Sequence, residues 1–162
     1  MTAHTKTPAT PKAPAAATDA IALLKADHAT VSDLFANYEK TNSGSKKKAL
    51  VAEICSELSV HAQIEEEIFY PAVKTALKDK LLVPEATVEH AGIKELISQL
   101  EGVEPDGAIY DAKVKVLSEY VEHHVKEEQN EMFPKAKGTS LDLVELGARM
   151  AARKADLLAA RG

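Results

Sequence analysis

Apolar residues recur every three or four positions in four stretches of the chain, a spacing typical of amphipathic α-helices. No stretch shows sustained alternation of apolar and polar residues, so the pattern predicts no β-sheet. Each stripe also contains a histidine, and two contain a glutamate, where leucine would be expected. The stripes are Ile21, Leu24, His28, Val31, Phe35 and Tyr38; Val51, Ile54, Leu58, His61, Glu65, Ile68 and Ala72; Ala86, His90, Ile93, Ile97 and Leu100; and Tyr110, Val114, Leu117, Val121, His124, Glu128 and Met132.

Capping and helix-breaking residues separate these stripes. Thr18 or Asp19 is suited to cap the first helix, and the polar segment 42–45 ends that helix and offers a cap to the second. Pro71 is expected to kink the second helix or end it nearby. Segment 134–138, with a proline and a glycine, ends the fourth.

A fifth helix is predicted over about residues 140–161, with Thr139 and Asp142 as a capping pair. It contains no histidine and few groups suited to chemistry, so we interpret it as packing on the other helices or facing a partner. The chain is therefore predicted to be all-α. Residues 19–138 form an antiparallel up-down four-helix bundle in this prediction, and residues 139–162 add the C-terminal helix.

The first 18 residues differ in composition from the rest. They are rich in Pro, Ala and Thr and hold no large apolar residue after Met1, so we expect a disordered arm. His4 belongs to this arm and is given no role. The arm has no apolar core of the kind that a secretory signal needs, and the chain has no run long enough to span a membrane. Cytoplasmic localisation is the resulting expectation.

Composition narrows the chemistry further. The chain has 162 residues, 45% of them hydrophobic and 4% aromatic, with no Trp. The single cysteine, Cys55, excludes an internal disulfide and a cysteine-based metal site. A net charge of −5 argues against nucleic acid or an anionic membrane as a partner.

The histidines in the stripes carry the functional signal. One histidine on an apolar face is usually a hydrogen-bonded core residue, but here all four stripes contain one. Two of them continue as His61-x-x-x-Glu65 and His124-x-x-x-Glu128, a spacing that places both side chains on one helix face. A carboxylate facing a bundle core costs several kcal/mol unless it is paired or binds a metal. No lysine or arginine lies in the stripes near these acids, so a metal ion is the expected countercharge, and a metal-free polar core is the alternative.

The pattern also occurs twice. His124 lies 63 residues after His61, Glu128 lies 63 after Glu65, and His90 lies 62 after His28. Two helical hairpins of this kind can pack about a pseudo-twofold axis, each offering two histidines and one glutamate. Six donors exceed what one tetrahedral zinc takes and suit two metals with bridging carboxylates. Imidazole with carboxylate fits iron, and manganese or zinc could substitute.

These residues resemble the hemerythrin-like family, specifically its histidine–histidine–glutamate (HHE) subgroup. The resemblance covers about residues 20–135 and implies a four-helix bundle with a non-haem di-iron site, often oxo- or hydroxo-bridged, that meets O2, peroxide or nitric oxide. It implies Glu65 and Glu128 as bridging carboxylates, and His28, His61, Glu65, His90, His124 and Glu128 as the metal ligands. The elements that carry it are Asp27-His28, the run from His61 to Pro71, Glu89-His90, and the run from His124 to Pro134.

The chain departs from the oxygen-carrying hemerythrins at one ligand. Those proteins have two histidines one turn apart on the third helix. Here the position one turn before His90 is occupied by Ala86. They also have an aspartate five residues beyond the last histidine, where this chain has Gln129. Either the site has an extra open position or another side chain fills it. Glu57 and Tyr120, each one turn before a ligand histidine, are the candidates; otherwise they are a partly solvated acid and a core aromatic.

Two functional hypotheses follow from the resemblance. The first is an enzyme of oxidative or nitrosative stress with peroxide-decomposing, catalase-like activity, because a missing ligand favours turnover. The second is a non-catalytic carrier or sensor of O2, NO or iron, with the fifth helix as its output surface. A ferritin-type oxidase ranks last, because its Glu-x-x-His spacing is absent. The expected partners are small molecules, and the expected state is a monomer or weak homodimer.

Overall fold

The structure is a computed structural model that describes residues 18–162. These residues form helices and no strand, which confirms the all-helical prediction. The predicted arm, apart from Thr18, and with it His4, lies outside the described residues. The elements are α1 (Ala20–Lys40), α2 (Gly44–Ile64), a first π-helical turn (Glu65–Phe69), α3 (Tyr70–Leu77), α4 (Leu82–Leu100), α5 (Ala108–Glu127), a second π-helical turn (Glu128–Met132), α6 (Phe133–Lys137) and α7 (Leu143–Arg161).

Side-chain caps set three of the helix starts. Of the two cap candidates for α1, Asp19 is the one that accepts from a backbone N–H, that of Ala22, at 2.8 Å. Ser43 caps α2 by accepting from the Lys46 N–H at 3.4 Å. Asp142 caps α7, which therefore begins three residues later than the sequence predicts.

Two pairs of helices, α2 with α3 and α5 with α6, each continue through a π-helical turn as one helical rod. Both turns begin at a glutamate of the HxxxE motifs. Pro71 and Pro134 follow these turns. A proline has no N–H and its ring crowds the carbonyl four residues earlier, so it interrupts the regular hydrogen-bond ladder. The wider turn absorbs that interruption. As a result Pro71 does not end the rod, which continues through α3 to Leu77, whereas the rod containing Pro134 ends at Lys137 before Gly138.

The apolar core consists of two clusters with a polar layer between them. One cluster joins the start of α1, the two π-helical turns, the start of α4 and the inner face of α7. The other joins the second half of α1 with α2, α4 and α5. Every histidine of the stripes lies where its helix passes from one cluster to the other.

Helix α7 lies against α1, α2 and the first π-helical turn. It buries Leu146 and Met150, and burial of each such side chain stabilises the fold by about 1.5–3 kcal/mol. Between them, Gly147 allows a very close approach, because a Cβ there would lie 2.5 Å from the Thr18 carbonyl oxygen and 2.7 Å from the Ala20 nitrogen. None of the helices in the described part of the chain is both long and apolar enough to cross a membrane.

Candidate metal centre

The structure brings all six predicted donors together in the polar layer. Their side chains are buried, from 0% exposed for Glu65 to 9% for His28. They form two groups, and within each group one donor atom per residue lies within 4.8 Å of the others. The first group is His28, His61 and Glu128, and the second is Glu65, His90 and His124.

Each glutamate touches histidines of both groups. Glu65 Oε1 lies 2.9 Å from His61 Nε2 and 3.4 Å from His90 Nε2. Glu128 places Oε1 3.2 Å from His28 Nε2 and Oε2 3.2 Å from His124 Nε2. The two carboxylates therefore lie between the two pairs of imidazoles, as shared ligands must.

Several of these buried atoms lack a hydrogen-bond partner. They are His28 Nε2, His61 Nε2, both carboxylate oxygens of Glu65, and Glu128 Oε1. Some lie close to each other, but without hydrogen-bond geometry. Leaving a buried polar group unsatisfied costs about 1–3 kcal/mol, and more for a charged group. Cations between these atoms would satisfy the imidazole lone pairs and carboxylate oxygens together, so the donor set fits metal ions.

Electrostatics inside the layer favours imidazolium–carboxylate pairs when no cation is bound. Burial alone would lower the pKa of His61, but the charge of Glu65 and the hydrogen bond to Asp27 hold that pKa well above its usual value. Burial opposes the shift of His124 too, yet Glu128 raises its pKa to about 9. Burial would raise the pKa of Glu65, and the charge of His61 outweighs it and holds the pKa well below its usual value. His61 and His124 therefore favour the protonated form, and metal binding at their Nε2 atoms must displace protons.

The outward ring nitrogen of each histidine meets a side chain that is next in sequence to another donor. For His28, His61 and His124 a hydrogen bond fixes the proton on Nδ1 and turns Nε2 towards the centre, whereas His90 Nδ1 has no hydrogen-bond partner. The pairs are His61 Nδ1 with Asp27 at 2.9 Å, His124 Nδ1 with Glu89 at 2.8 Å, His28 Nδ1 with Gln129 at 2.8 Å, and His90 Nδ1 with Glu66 at an ion-pair distance of 3.7 Å.

Tyr70 is a site residue that sequence reasoning missed. Its hydroxyl donates to Glu128 Oε2 at 2.7 Å and lies 3.1 Å from His124 Nε2 and 3.2 Å from His90 Nε2. Burial, then the charge of Glu65, raises its pKa well above the usual value. In a π-helical turn, residues five apart are hydrogen-bonded, so Tyr70 follows Glu65 by one turn on the same face. The only sequence signal was that Tyr70 and Phe133, 63 apart, differ.

Lys154 of α7 is the second missed residue. Its Nζ lies 2.5 Å from Asp27 Oδ1, and the other oxygen of Asp27 accepts from His61. The fifth helix, interpreted from the sequence as a packing or partner-facing element, thus also places one charged side chain beside the donor groups. The stripes themselves contain no such cation, and only the packing of α7 on α1 delivers it.

The structure brings neither candidate for an additional ligand into the site. Tyr120 is 50% exposed, with its ring over Gly92, and Glu57 is half-buried outside both groups. A residue four positions earlier lies about 6 Å further along the helix, which carries both beyond the polar layer.

Two other chemically active residues lie outside the six-donor set. His123 is exposed and contacts Glu89 and Glu127 at 3.1 and 3.2 Å. Cys55 is buried, and burial raises the pKa of its thiol to about 11.

A small cavity borders the four imidazoles and gives the site room for a small molecule. Apolar side chains of the second cluster form much of its wall. It is lined by Asp27, His28, Val31, Leu58, His61, Ala62, His90, Ile93, Val121, His124 and Val125.

Comparison with known proteins places this geometry in context. Residues 19–136 match the family described as Hemerythrin HHE cation binding domain. The crystal structure of a hemerythrin HHE cation binding domain-containing protein from Mycobacterium kansasii, an Rv2633c homologue, superposes with a TM-score of 0.73 at 29% identity, over 88% of each chain. The Mycobacterium tuberculosis protein Rv2633c itself is 28% identical over 111 residues, which are 67% of each chain.

A protein from Nostoc sp. named DNA nickase is 27% identical over 111 residues. The match covers 68% of this chain and 31% of that relative, so this chain spans less than a third of its length.

Proposed function

The chain belongs to the hemerythrin HHE cation-binding domain family, and from this premise we propose that it is a di-iron protein that acts on O2, peroxide or nitric oxide. In this proposal α1, α2 with α3, α4, and α5 with α6 are the four helical rods of an antiparallel up-down bundle around the iron site. The observation that carries it is the pair of buried donor groups. Two of the facing histidine nitrogens and three of the facing carboxylate oxygens lack hydrogen-bond partners. Manganese or zinc would be accepted by the same donors.

The site residues have two proposed roles, metal ligation and orientation of the ligating imidazoles. His28 and His61 would hold one ion, His90 and His124 the other, and Glu65 and Glu128 would be shared. When bound, two irons supply two-electron redox chemistry towards small oxidants. Asp27, Glu89 and their counterparts keep the imidazoles oriented, so that the ligand atoms need little rearrangement.

Tyr70 is our candidate for the donor that the third helix does not supply. Its hydroxyl oxygen lies among Glu128, His90 and His124, whereas Ala86 belongs to the apolar cluster beside the site. The phenol is protonated in the metal-free protein, because burial and the glutamate charges oppose its ionisation. A cation at the second group would provide the positive charge that phenolate needs.

The cavity supports small molecules as the substrates. Valine, leucine and isoleucine side chains border it on the side away from the carboxylates. They exclude bulk water and give an organic substrate no polar partner. O2, hydrogen peroxide and nitric oxide are small enough and need none.

Peroxide decomposition in an oxidative or nitrosative stress response is the activity we favour, with two peroxides giving two waters and O2. The ligand set differs from that of the oxygen carriers at Ala86 even with Tyr70 as the substitute donor, and this difference supports turnover over storage. A non-catalytic carrier or sensor of O2, NO or iron is the second candidate, and the contact of α7 with the site favours it as a route for output. Nicking of DNA is named for a relative much longer than this chain, and we do not extend it to this protein.

The test is metal analysis of the purified protein together with O2 release from peroxide. We expect two irons per chain and turnover in the wild type, and loss of both properties in His124→Ala. His123→Ala is the matched control, because His123 is the neighbouring residue but its side chain is exposed. Fewer than one metal per chain in the wild type, or equal turnover in both variants, would overturn the proposal.

A separate measurement distinguishes the two activities. A carrier or sensor would show an absorption spectrum that changes with O2 or NO and returns when the gas is removed, without consuming peroxide. Steady peroxide consumption by the iron-loaded wild type selects the enzyme.

A further inference from the structure

Helix α7 reaches the metal centre through one side chain. Lys154 Nζ contacts Asp27 Oδ1 at 2.5 Å, and Asp27 Oδ2 accepts from His61 Nδ1 at 2.9 Å. The chain of contacts therefore runs from the outermost helix to an imidazole of the first donor group.

Asp27 depends on both of these partners. It is 4% exposed, and a carboxylate removed from water is costly unless its oxygens are paired. Lys154 holds one oxygen, and this fixes the direction in which the other oxygen meets His61. The Nδ1 proton of His61 is then held outward and Nε2 faces the centre.

The second donor group has no such tether to α7. Lys94 of α4 holds Glu66 at 2.7 Å, but Glu66 lies 3.7 Å from His90 Nδ1, which has no hydrogen-bond partner. The group's equivalent carboxylate, Glu89, accepts from His124 but places its other oxygen 3.1 Å from His123, whose side chain is 66% exposed. No lysine or arginine of residues 18–162 makes an ion pair with Glu89. Only the first group is connected to α7 in this way.

We propose that Lys154 is a positioning residue that fixes Asp27 and, through it, His61, so that the seating of α7 controls one of the two metal positions. The part that concerns metal rests on the proposed function. The contact chain itself does not, and it is tested separately below.

The neighbouring residue provides a matched control. Arg153 also joins α7 to the helices it packs on, through Glu67 of the first π-helical turn at 2.8 and 3.2 Å, but Glu67 contacts none of the site histidines. If Lys154 only anchors α7, losing either ion pair has the same consequence. If it positions His61, the two losses differ.

The first experiment follows release of metal from the purified protein to a chelator, with Lys154→Met, Lys154→Arg and Arg153→Gln beside the wild type. In Lys154→Met we expect one of the two ions to leave about tenfold faster and the other at the wild-type rate, because a lost contact to a ligating histidine typically weakens metal binding 10- to 100-fold. Lys154→Arg should restore slow release, and Arg153→Gln should not change it. Equal acceleration of both ions, or the same effect in Arg153→Gln, would overturn the proposal.

The second experiment needs no metal. In the metal-free full chain, the nitrogen-15 resonances of the His61 ring report whether Nδ1 carries a hydrogen-bonded proton. We expect that signal in the wild type, Lys154→Arg and Arg153→Gln, and its loss or broadening in Lys154→Met, with helix content confirmed by circular dichroism. An unchanged His61 signal in Lys154→Met refutes the positioning role. Absence of metal in the wild type refutes the proposed function but leaves this result decisive.

Discussion

The two halves of the metal centre have the same donor types but different surroundings. Around the second group, Tyr70 supplies a hydroxyl and Glu66 faces His90. At the equivalent places around the first group, the Phe133 ring stacks on His28 at 6.0 Å and Gln129 accepts from it. A repeat at 62–63 residues therefore specifies the ligands, while single side chains make the two positions inequivalent.

The halves also differ in the side chains that contact the carboxylates next to their histidines. α7 covers α1 and α2 and delivers Lys154 to the first half, whereas Glu89 of the second half meets an exposed histidine. The first position thus has an aromatic ring beside it and is tethered to α7. The second has an additional hydroxyl and its imidazoles are more deeply buried, 2% and 4% exposed against 9% and 7% in the first. We expect ions at these two positions to differ in release rate and in ligand exchange.

The largest effect should come from removing a residue that both halves share. Glu128→Ala deletes oxygens that lie 3.2 Å from His28 and from His124, so we expect loss of both ions. His28→Ala should lose mainly the ion of its own half. Metal content by mass spectrometry measures both, with the exposed Glu131→Ala as control. Retention of one ion in Glu128→Ala would show that the carboxylate serves a single position.

Gly147→Ala tests whether the close packing of α7 on α1 is needed for the Lys154–Asp27 contact. The new Cβ would lie 2.5 Å from a backbone oxygen of Thr18, and backbone cannot give way cheaply, so we expect about 2 kcal/mol or more of destabilisation in urea unfolding. Metal release should accelerate for the first position only. In the control Gly92→Ala the added Cβ meets only the Tyr120 ring at 3.9 Å, and its stability should be unchanged or higher. Equal stability of the two variants would contradict the close packing of α7.

Tyr70→Phe makes the two halves alike at one position, where the first half has Phe133. It removes the donor to a buried oxygen of Glu128, which should cost about 1–3 kcal/mol in the metal-free protein. The iron-loaded variant should also lose any absorption band that arises from the phenol oxygen. Denaturation curves and spectra measure the two effects, and Tyr120→Phe, which changes an exposed tyrosine, is the matched control. A spectrum identical to that of the wild type would remove Tyr70 from the ligand set.

The smallest effect concerns Cys55, which lies in the second apolar cluster, formed by α1, α2, α4 and α5. Burial raises the pKa of its thiol from 9.0 to about 11. The raised value means that the buried neutral thiol stabilises the fold fully below pH 9, and this contribution is lost as the pH rises through about 11. At pH 8 we expect almost no reaction with a disulfide reagent until the protein is unfolded. Fast labelling of the folded wild type would show that this cluster opens readily.

Much of the site could be predicted because its pattern is local. Histidines and glutamates at helical spacing must share a face with the apolar residues around them, so His61 and Glu65 were placed in the core without knowledge of the fold. The caps were less certain, since Thr18 and Asp19 are both suited and only the geometry of the first turn selects Asp19.

Side-chain directions that spacing along the chain does not predict have two physical causes. Tyr70 reaches the centre because the π-helical turn changes the direction of the residues after Glu65, and a regular period of 3.6 points it elsewhere. Asp27 and Glu89 lie about 100° away from the histidines that follow them on their helices, and so each meets a histidine of another helix. Neither effect can be read from spacing along one helix.

By itself, then, the sequence determined that the chain is helical, which side chains line the helix interfaces, and that two similar donor sets exist, because periodicity and repetition are properties of the chain. The tertiary structure decided how those sets differ. The approach of α7 at Gly147, the contact of Lys154 with Asp27 and the inward turn of Tyr70 all depend on how helices rotate and pack against each other. Packing of that kind is set by many distant contacts at once, and no local pattern encodes it.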